Sequence, residues 1–338
     1  MEGREGILIE VKHLTKRYGA YTAVEDLSFT IPKGTIYGFL GPNGAGKSTT
    51  MNIITGCLGA TAGEVLISGH SILDEPMEAK KLIGYLPEQP PLYADMTVSE
   101  YLSFVAEARG IPMNKRQEQK MTAMEKTGIT EAKGRLIKNL SKGYKQRVGI
   151  AQALIGDPDI IILDEPTVGL DPTQIIEIRS LIRDLGRDHT VILSSHILSE
   201  VQAVCDTILI IAKGKLVACD TPENLTRLLA GETVIKLEAE CSAEELPGIL
   251  EMLEGVKEVR VEETSDGVLK ALVVPESGVD VRKDMFFAFS EAGTPILEMH
   301  LERASLEDVF IELTREKENS PDKSKKRFFA RRKEAEQA

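Results

Sequence analysis

The chain has 338 residues, 42% hydrophobic and 28% charged, with no Trp and a net charge of −12 at pH 7. That apolar content excludes disorder over most of the length, the length suggests one large domain plus a smaller one, and the acidic balance argues against a general nucleic-acid binder. The charge is uneven: residues 323–338 hold seven basic and two acidic side chains, a net +5, which leaves −17 on residues 1–322. Cys57, Cys205, Cys219 and Cys241 stand far apart with no C-x-x-C pair, so neither a zinc site nor a redox motif is suggested, and a reducing compartment fits. The opening MEGREGILIEVKHL lacks the apolar core of a signal peptide. No stretch approaches the roughly 20 apolar residues of a membrane helix. A cytoplasmic protein is expected.

In chain order, residues 7–11 and 27–31 read as strands on either side of the turn-like Tyr18-Gly19, and 35–40 as a third strand running into a glycine-rich loop. Residues 92–146 carry three helix-like segments, 98–109, 115–127 and 142–154, with little strand signal between them. Residues 160–163 and 191–194 are short, apolar and β-branched, as buried strands of a parallel sheet are, and 173–185 is helical. Strands alternating with helices imply an α/β fold. Beyond Gly231 the pattern becomes strand 233–239, helix 243–253, strands 258–261 and 268–274, helix 281–292 and strand 296–300. That β-α-β-β-α-β order is the ferredoxin-like arrangement. A last helix is expected over 306–315, and the charged remainder is expected to be disordered.

Gly41-Pro42-Asn43-Gly44-Ala45-Gly46-Lys47-Ser48 matches G-x-x-x-x-G-K-[ST] in full. Its glycines let the backbone wrap close to phosphate, and the loop N–H groups and the following helix N-terminus face the anion. Lys47 is expected to reach the β- and γ-phosphates and the Ser48 hydroxyl to bind Mg²⁺, with Thr49 beside them. A chance glycine-rich turn is the bland alternative. The motif, however, follows an apolar strand and opens a helix at 48–54, the context that its mechanism requires. Ile160-Ile161-Ile162-Leu163 ends in Asp164-Glu165, at the strand edge where ligands sit in parallel α/β sheets. Asp164 is expected to hold the Mg²⁺ shell and Glu165 to polarise the attacking water. Alone, the pair would read as a solvated acidic turn.

These residues, with five further signals in the right order, resemble the ATP-binding cassette (ABC) family. The resemblance covers residues 7–220. It implies that Tyr18 stacks on adenine, and that Gln89 in Leu86-Pro87-Glu88-Gln89-Pro90 binds Mg²⁺ and senses the γ-phosphate. It implies that Leu140-Ser141-Lys142-Gly143-Tyr144 is the signature, with Ser141 and Gly143 touching the phosphate of ATP held by another subunit. Asp171 of Gly169-Leu170-Asp171 would belong to the D-loop, and His196 would be the switch histidine on the γ-phosphate. Lys142 and Tyr144 depart from the usual LSGGQ, a form that looks like the branch pairing with separate membrane subunits in efflux and gliding-motility-type systems. Leu306-Glu307-Asp308-Val309-Phe310 looks like the end of ATPases in that exporter branch.

The expectation is therefore an α/β P-loop NTPase cassette over residues 1–225, with a helical subdomain at about 92–155. A small α+β ferredoxin-like domain follows at 232–316, then a basic tail at 317–338. The cofactors expected are ATP and Mg²⁺. Because the resemblance has the signature serve another subunit's ATP, the active unit would be a homodimer or a dimer with a close paralogue. It would drive a separate multi-span permease, and the chain would be peripheral on the inner face of the membrane, with no nucleic-acid partner. A soluble ABC ATPase acting on nucleic acid or ribosomes is the alternative; such proteins usually carry two cassettes or a long coiled coil. Loss of hydrolysis is disfavoured by the presence of Glu165 and His196. The tail's Lys325-Lys326-Arg327-Phe328-Phe329-Ala330-Arg331-Arg332-Lys333 could also touch anionic lipid, since each basic residue near such a surface contributes about 1 kcal/mol.

Overall fold

The computed structural model describes residues 6–229, 234–242, 245–250, 253–265, 267–276 and 279–302. It opens with a long hairpin, β1 (Ile7–Tyr18) and β2 (Tyr21–Pro32), then β3 (Ile36–Leu40), α1 (Lys47–Ile54), β4 (Ala62–Ile67), β5 (His70–Ser71), α2 (Pro76–Lys81) and β6 (Ile83–Leu86). Three helices follow: α3 (Val98–Ala108), α4 (Met113–Lys126) and α5 (Lys142–Leu154). Alternation then resumes through β7 (Ile160–Asp164), α6 (Pro172–Leu185), β8 (Thr190–Ser195), α7 (Leu198–Gln202), β9 (Thr207–Ala212), β10 (Lys215–Asp220) and α8 (Pro222–Leu229). The last elements are β11 (Val234–Ala239), α9 (Glu245–Leu250), β12 (Val256–Ser265), β13 (Val268–Pro275), α10 (Arg282–Glu291) and β14 (Ile296–Glu302).

The central sheet runs β10-β9-β3-β8-β7-β6. Its inner pairs are parallel and β10 closes one edge antiparallel. Every residue of β3, β7 and β8 is buried, which explains their unbroken apolar runs: a parallel strand covered on both faces has no polar side to show. Successive side chains of β7 point to opposite faces. Ile160 and Ile162 enter a core closed by β1, β2 and α1 through Ile9, Leu27, Ile31, Met51 and Ile54. Ile161 and Leu163 enter a second core closed by the helices, through Leu102, Met124, Val148 and Ile182. Each such fully buried side chain stabilises the fold by about 1.5–3 kcal/mol relative to exposure, so β7 is clamped from both sides and its C-terminal carboxylates are fixed.

Helix α5 has the bounds expected of it, with Ser141 as its N-cap, and α3 begins at a capping box of Thr97 and Glu100. The hairpin differs from expectation. Its strands run to Tyr18 and back from Tyr21, well past 7–11 and 27–31, and the β1–β2 register shifts repeatedly between Val11 and Arg17. Bulges break the apolar alternation there while pairing continues, so periodicity alone loses the strand. β4, β5 and α2 are short or partly polar, so no apolar period marks them in the sequence.

The C-terminal elements follow the β-α-β-β-α-β succession, in an antiparallel sheet of order β12-β13-β11-β14. Ile235, Leu237, Val273, Met285 and Phe289 form its core. The helix expected over 306–315, and the tail with its lipid contact, lie outside the described residues. Among the described residues, no helix is long and apolar enough to cross a membrane.

Candidate nucleotide site

The loop between β3 and α1 bounds a cleft of about 480 Å³. Asn43, Gly44, Ala45, Gly46, Lys47, Ser48 and Thr49 line it, with Tyr18 on the hairpin and Glu165 and His196 from beyond β7 and β8. Gly46 caps α1 at φ 103°, a left-handed conformation that disfavours any Cβ. A Cβ at Gly41 would stand 2.4 Å from the Ile211 carbonyl oxygen, so the loop can lie against β9 only as glycine. Lys47 is 5% exposed and folds back, its Nζ donating to the Gly41 carbonyl at 2.7 Å and the Pro42 carbonyl at 3.3 Å.

The same Nζ lies 3.3 Å from Glu165 Oε1, and His196 Nδ1 lies 2.9 Å from Glu165 Oε2. Glu165 is 7% exposed and has φ 48°. A non-glycine residue in that region costs of order 1–3 kcal/mol and persists only where its surroundings hold it. Part of that hold is visible: the Glu165 backbone N–H donates to Ser194 Oγ at 2.9 Å, and Ser194 Oγ in turn donates to Asp164 Oδ1. Ser48 Oγ also donates to Asp164 Oδ1, at 3.3 Å. Asp164 is buried and accepts only hydroxyl hydrogens in these bonds. Two hard oxygen donors beside the phosphate loop suit Mg²⁺, which takes one or two carboxylates plus phosphate oxygens and water.

Not every expected residue meets in the cleft. Gln89 sits exposed on the loop after β6, outside the lining, while its neighbour Glu88 lies within it. Ser141, Gly143 and Asp171 are also outside. Ser141 Oγ accepts from the Tyr144 N–H at 3.3 Å, and Asp171 Oδ1 accepts from the Gln174 N–H at 2.9 Å, capping α6. A Cβ at Gly143 would meet the Gln174 side chain at 2.8 Å, so the starts of α5 and α6 are neighbours. Lys142 is laid over Gly169, where a Cβ would stand 2.0 Å from its Nζ.

Sequence reasoning missed Tyr21, Ala23, Glu88 and Val168 in the lining, and Ser194 beneath it. Tyr21 pairs with Tyr18 across the hairpin turn, and two tyrosines flanking Gly19-Ala20 were the available signal. Lys16 Nζ stands 5.3 Å from the Tyr18 ring centroid, a cation–π distance that helps orient the ring.

Residues 24–168 match the family model described as "ABC transporter". The linearmycin resistance ATP-binding protein LnrL of Bacillus subtilis is 32% identical over 311 residues, covering 91% of this chain and 98% of that protein. The bacitracin transport ATP-binding protein BcrA of Bacillus licheniformis is 34% identical over 308 residues, covering 90% and 97%. Among solved structures, a dimeric bacterial ABC transporter cassette superposes with a TM-score of 0.58 at 26% identity, over 63% of this chain and 98% of that one. A phosphate loop between strand and helix, a carboxylate pair at the end of a buried strand of the same sheet, and relatives spanning nearly the whole chain agree: this protein belongs to the ATP-binding cassette family, as an ATP-binding and ATP-hydrolysing subunit of a transporter.

Proposed function

We propose that this chain is the motor of an exporter, closing as a head-to-tail dimer around two ATP molecules and passing that motion to a separate membrane permease. The observation that carries the reading is Glu165, a buried carboxylate on a strained backbone, held between Lys47 and His196 at the mouth of the phosphate loop. ATP hydrolysis asks mainly for positioning and charge neutralisation. In this reading Tyr18 stacks on the base, while the loop from Gly41 to Thr49 wraps the phosphates. Lys47 neutralises the β- and γ-phosphates. Glu165 accepts a hydrogen bond from the attacking water and orients it, and His196 contacts the γ-phosphate. Ser48, Asp164 and Gln89 would hold Mg²⁺, which supplies charge neutralisation on the phosphate oxygens.

Ser141, Gly143 and Asp171, all outside their own chain's cleft, serve the ATP of a second copy or close paralogue. Exposed Tyr144, Val168, Ile176 and Ile197 give such a contact its apolar part. Relatives named for bacitracin transport and linearmycin resistance favour export over action on nucleic acid, and favour a site at the inner face of the membrane beside a permease. We read the ATPase domain as 1–225 and the accessory domain as 232–316, the latter ferredoxin-like by its order of elements. Glu165→Gln keeps shape and removes the charge. Turnover should fall about 10²–10⁴-fold while ATP binding persists and traps the dimer. Steady-state ATPase within about twofold of the parent removes Glu165 from the chemistry.

A further inference from the structure

A third buried carboxylate, besides Asp164 and Glu165, is not used by the chemistry above. Glu200, on α7, is 5% exposed. Its Oε2 accepts the Thr167 hydroxyl and, at 3.0 Å, the Ser195 hydroxyl. The Ser195 oxygen in turn accepts the backbone N–H of Ile197 at 3.0 Å. Thr167 and Ser195 are buried too, and among the described residues no cation pairs with Glu200. A buried carboxylate without a cation is costly, and the two hydroxyl hydrogen bonds offset part of that cost.

The positions of the two hydroxyls give the carboxylate its meaning. Thr167 lies two residues after Glu165 and begins the turn into the D-loop, where the Leu170 N–H donates to the Thr167 carbonyl at 3.2 Å. Ser195 and Ile197 flank His196. One oxygen of Glu200 thus ties the backbone after Glu165 to the backbone on both sides of His196. Glu165 and His196 come from different strands, β7 and β8, and their 2.9 Å contact needs both loops to hold register. Glu165 also needs restraint at φ 48°. Ser194 restrains it from one side, and the Thr167–Glu200–Ser195 bridge closes the other.

We infer that Glu200 is a positioning residue for ATP hydrolysis: its buried carboxylate clasps the Thr167 and Ser195 hydroxyls and so holds the D-loop segment and the switch-histidine loop in one register. This rests on the roles proposed for Glu165 and His196. The clasp acts on the geometry of the hydrolytic pair and leaves the phosphate loop alone, so it separates kcat from nucleotide affinity. A residue that merely fills space would move both together, or move neither and lower the melting temperature.

The test uses the full chain and four variants: Glu200→Gln, Thr167→Val, Ser195→Ala and the double variant Thr167→Val/Glu200→Gln. ATPase kinetics, nucleotide affinity by calorimetry and thermal melting are read on each. The expected result is a kcat lowered at least tenfold in Glu200→Gln and three- to tenfold in each hydroxyl variant. ATP affinity should stay within twofold, and the double variant should be no slower than Glu200→Gln alone, since both changes break one unit. Should Glu200→Gln fail to fold, the two hydroxyl variants decide, because each leaves the carboxylate in place. Parental kcat in Thr167→Val and Ser195→Ala overturns the clasp, as does an equal loss of affinity and turnover. Glu165→Gln run alongside separates the levels: if it is inactive while the clasp variants turn over normally, the inference fails alone. If Glu165→Gln turns over normally, the hydrolytic reading fails with it.

Discussion

The nucleotide cleft and the C-terminal sheet are built on opposite economies. The cleft spends stability. Lys47, Asp164, Glu165 and Glu200 are all buried ionisable groups, and Glu165 is held in a left-handed backbone. The C-terminal unit shows nothing comparable among the described residues: its core is Ile235, Leu237, Leu269, Val273, Met285 and Phe289, and its ion pairs lie at the surface, as with Lys270 and Glu238 or Arg260 and Glu258. Buried charge with strain marks a place where geometry is held for chemistry. An apolar sheet core with exposed pairs marks a place where only the shape is held. Changes in the two regions should therefore separate function from folding.

Lys47→Ala gives the largest effect. It removes the cation proposed to face the phosphates and leaves Glu165 buried without that partner. Truncating one member of a buried charge pair costs about 2–5 kcal/mol, so ATP affinity by calorimetry should fall by roughly 1.5 to 3.5 orders of magnitude. Melting of the C-terminal unit should not move. Unchanged affinity would place the ammonium outside the phosphate contacts and weaken the contrast at its strongest point.

Phe289→Ala is the reciprocal change. Phe289 is fully buried in the C-terminal core, and such a truncation costs about 3–5 kcal/mol. Amide exchange should accelerate across β11, β13 and α10, while nucleotide affinity stays within twofold. Loss of ATP binding in this variant would mean that the accessory fold supports the cleft directly, and the two regions would then be one energetic unit.

What the sequence shows of each region follows the same division. The phosphate loop and Asp164-Glu165 are legible because their chemistry needs contiguous residues at fixed spacing. The cassette's buried strands are legible because burial on both faces leaves an apolar run, as at residues 160–163 of β7. The C-terminal elements are legible by alternation, though β12 runs past the expected 258–261 at both ends, by two and four residues. Ser194, Thr167 and Glu200 were not legible. Each is an ordinary polar residue whose meaning arises when β7, β8 and α7 are brought together, and no spacing records that. The hairpin beyond Val11 was lost because bulges interrupt its period. Gln89, Ser141 and Asp171 show the converse: motif order assigns them to a nucleotide, while within one chain they stand outside its cleft.

The smallest effect sharpens the accessory side. Asp280 precedes α10 and meets the Arg282 guanidinium through two bonds, at 2.9 and 2.7 Å, while also accepting the Arg282 backbone N–H at 3.2 Å. The guanidinium bonds, then the backbone bond, hold its carboxyl down at about 2. A carboxyl depressed in the folded state contributes stability that is fully present above the ordinary aspartate range and is lost as pH falls toward 2. Asp280 is exposed, so solvent and salt screen that contribution. The direct measurement is a carbon-13 titration of aspartate carboxyls in the full chain. Asp280 should titrate near 2 in the parent, and Arg282→Ala should raise its midpoint toward the ordinary range, leaving only the backbone bond to depress it. ATPase activity should not respond, because among the described residues no charge of the C-terminal unit lines the cleft. A midpoint unmoved by Arg282→Ala would assign the depression to the backbone alone. A change in turnover would show that surface charge in this unit reaches the cleft, against the division drawn between the two regions.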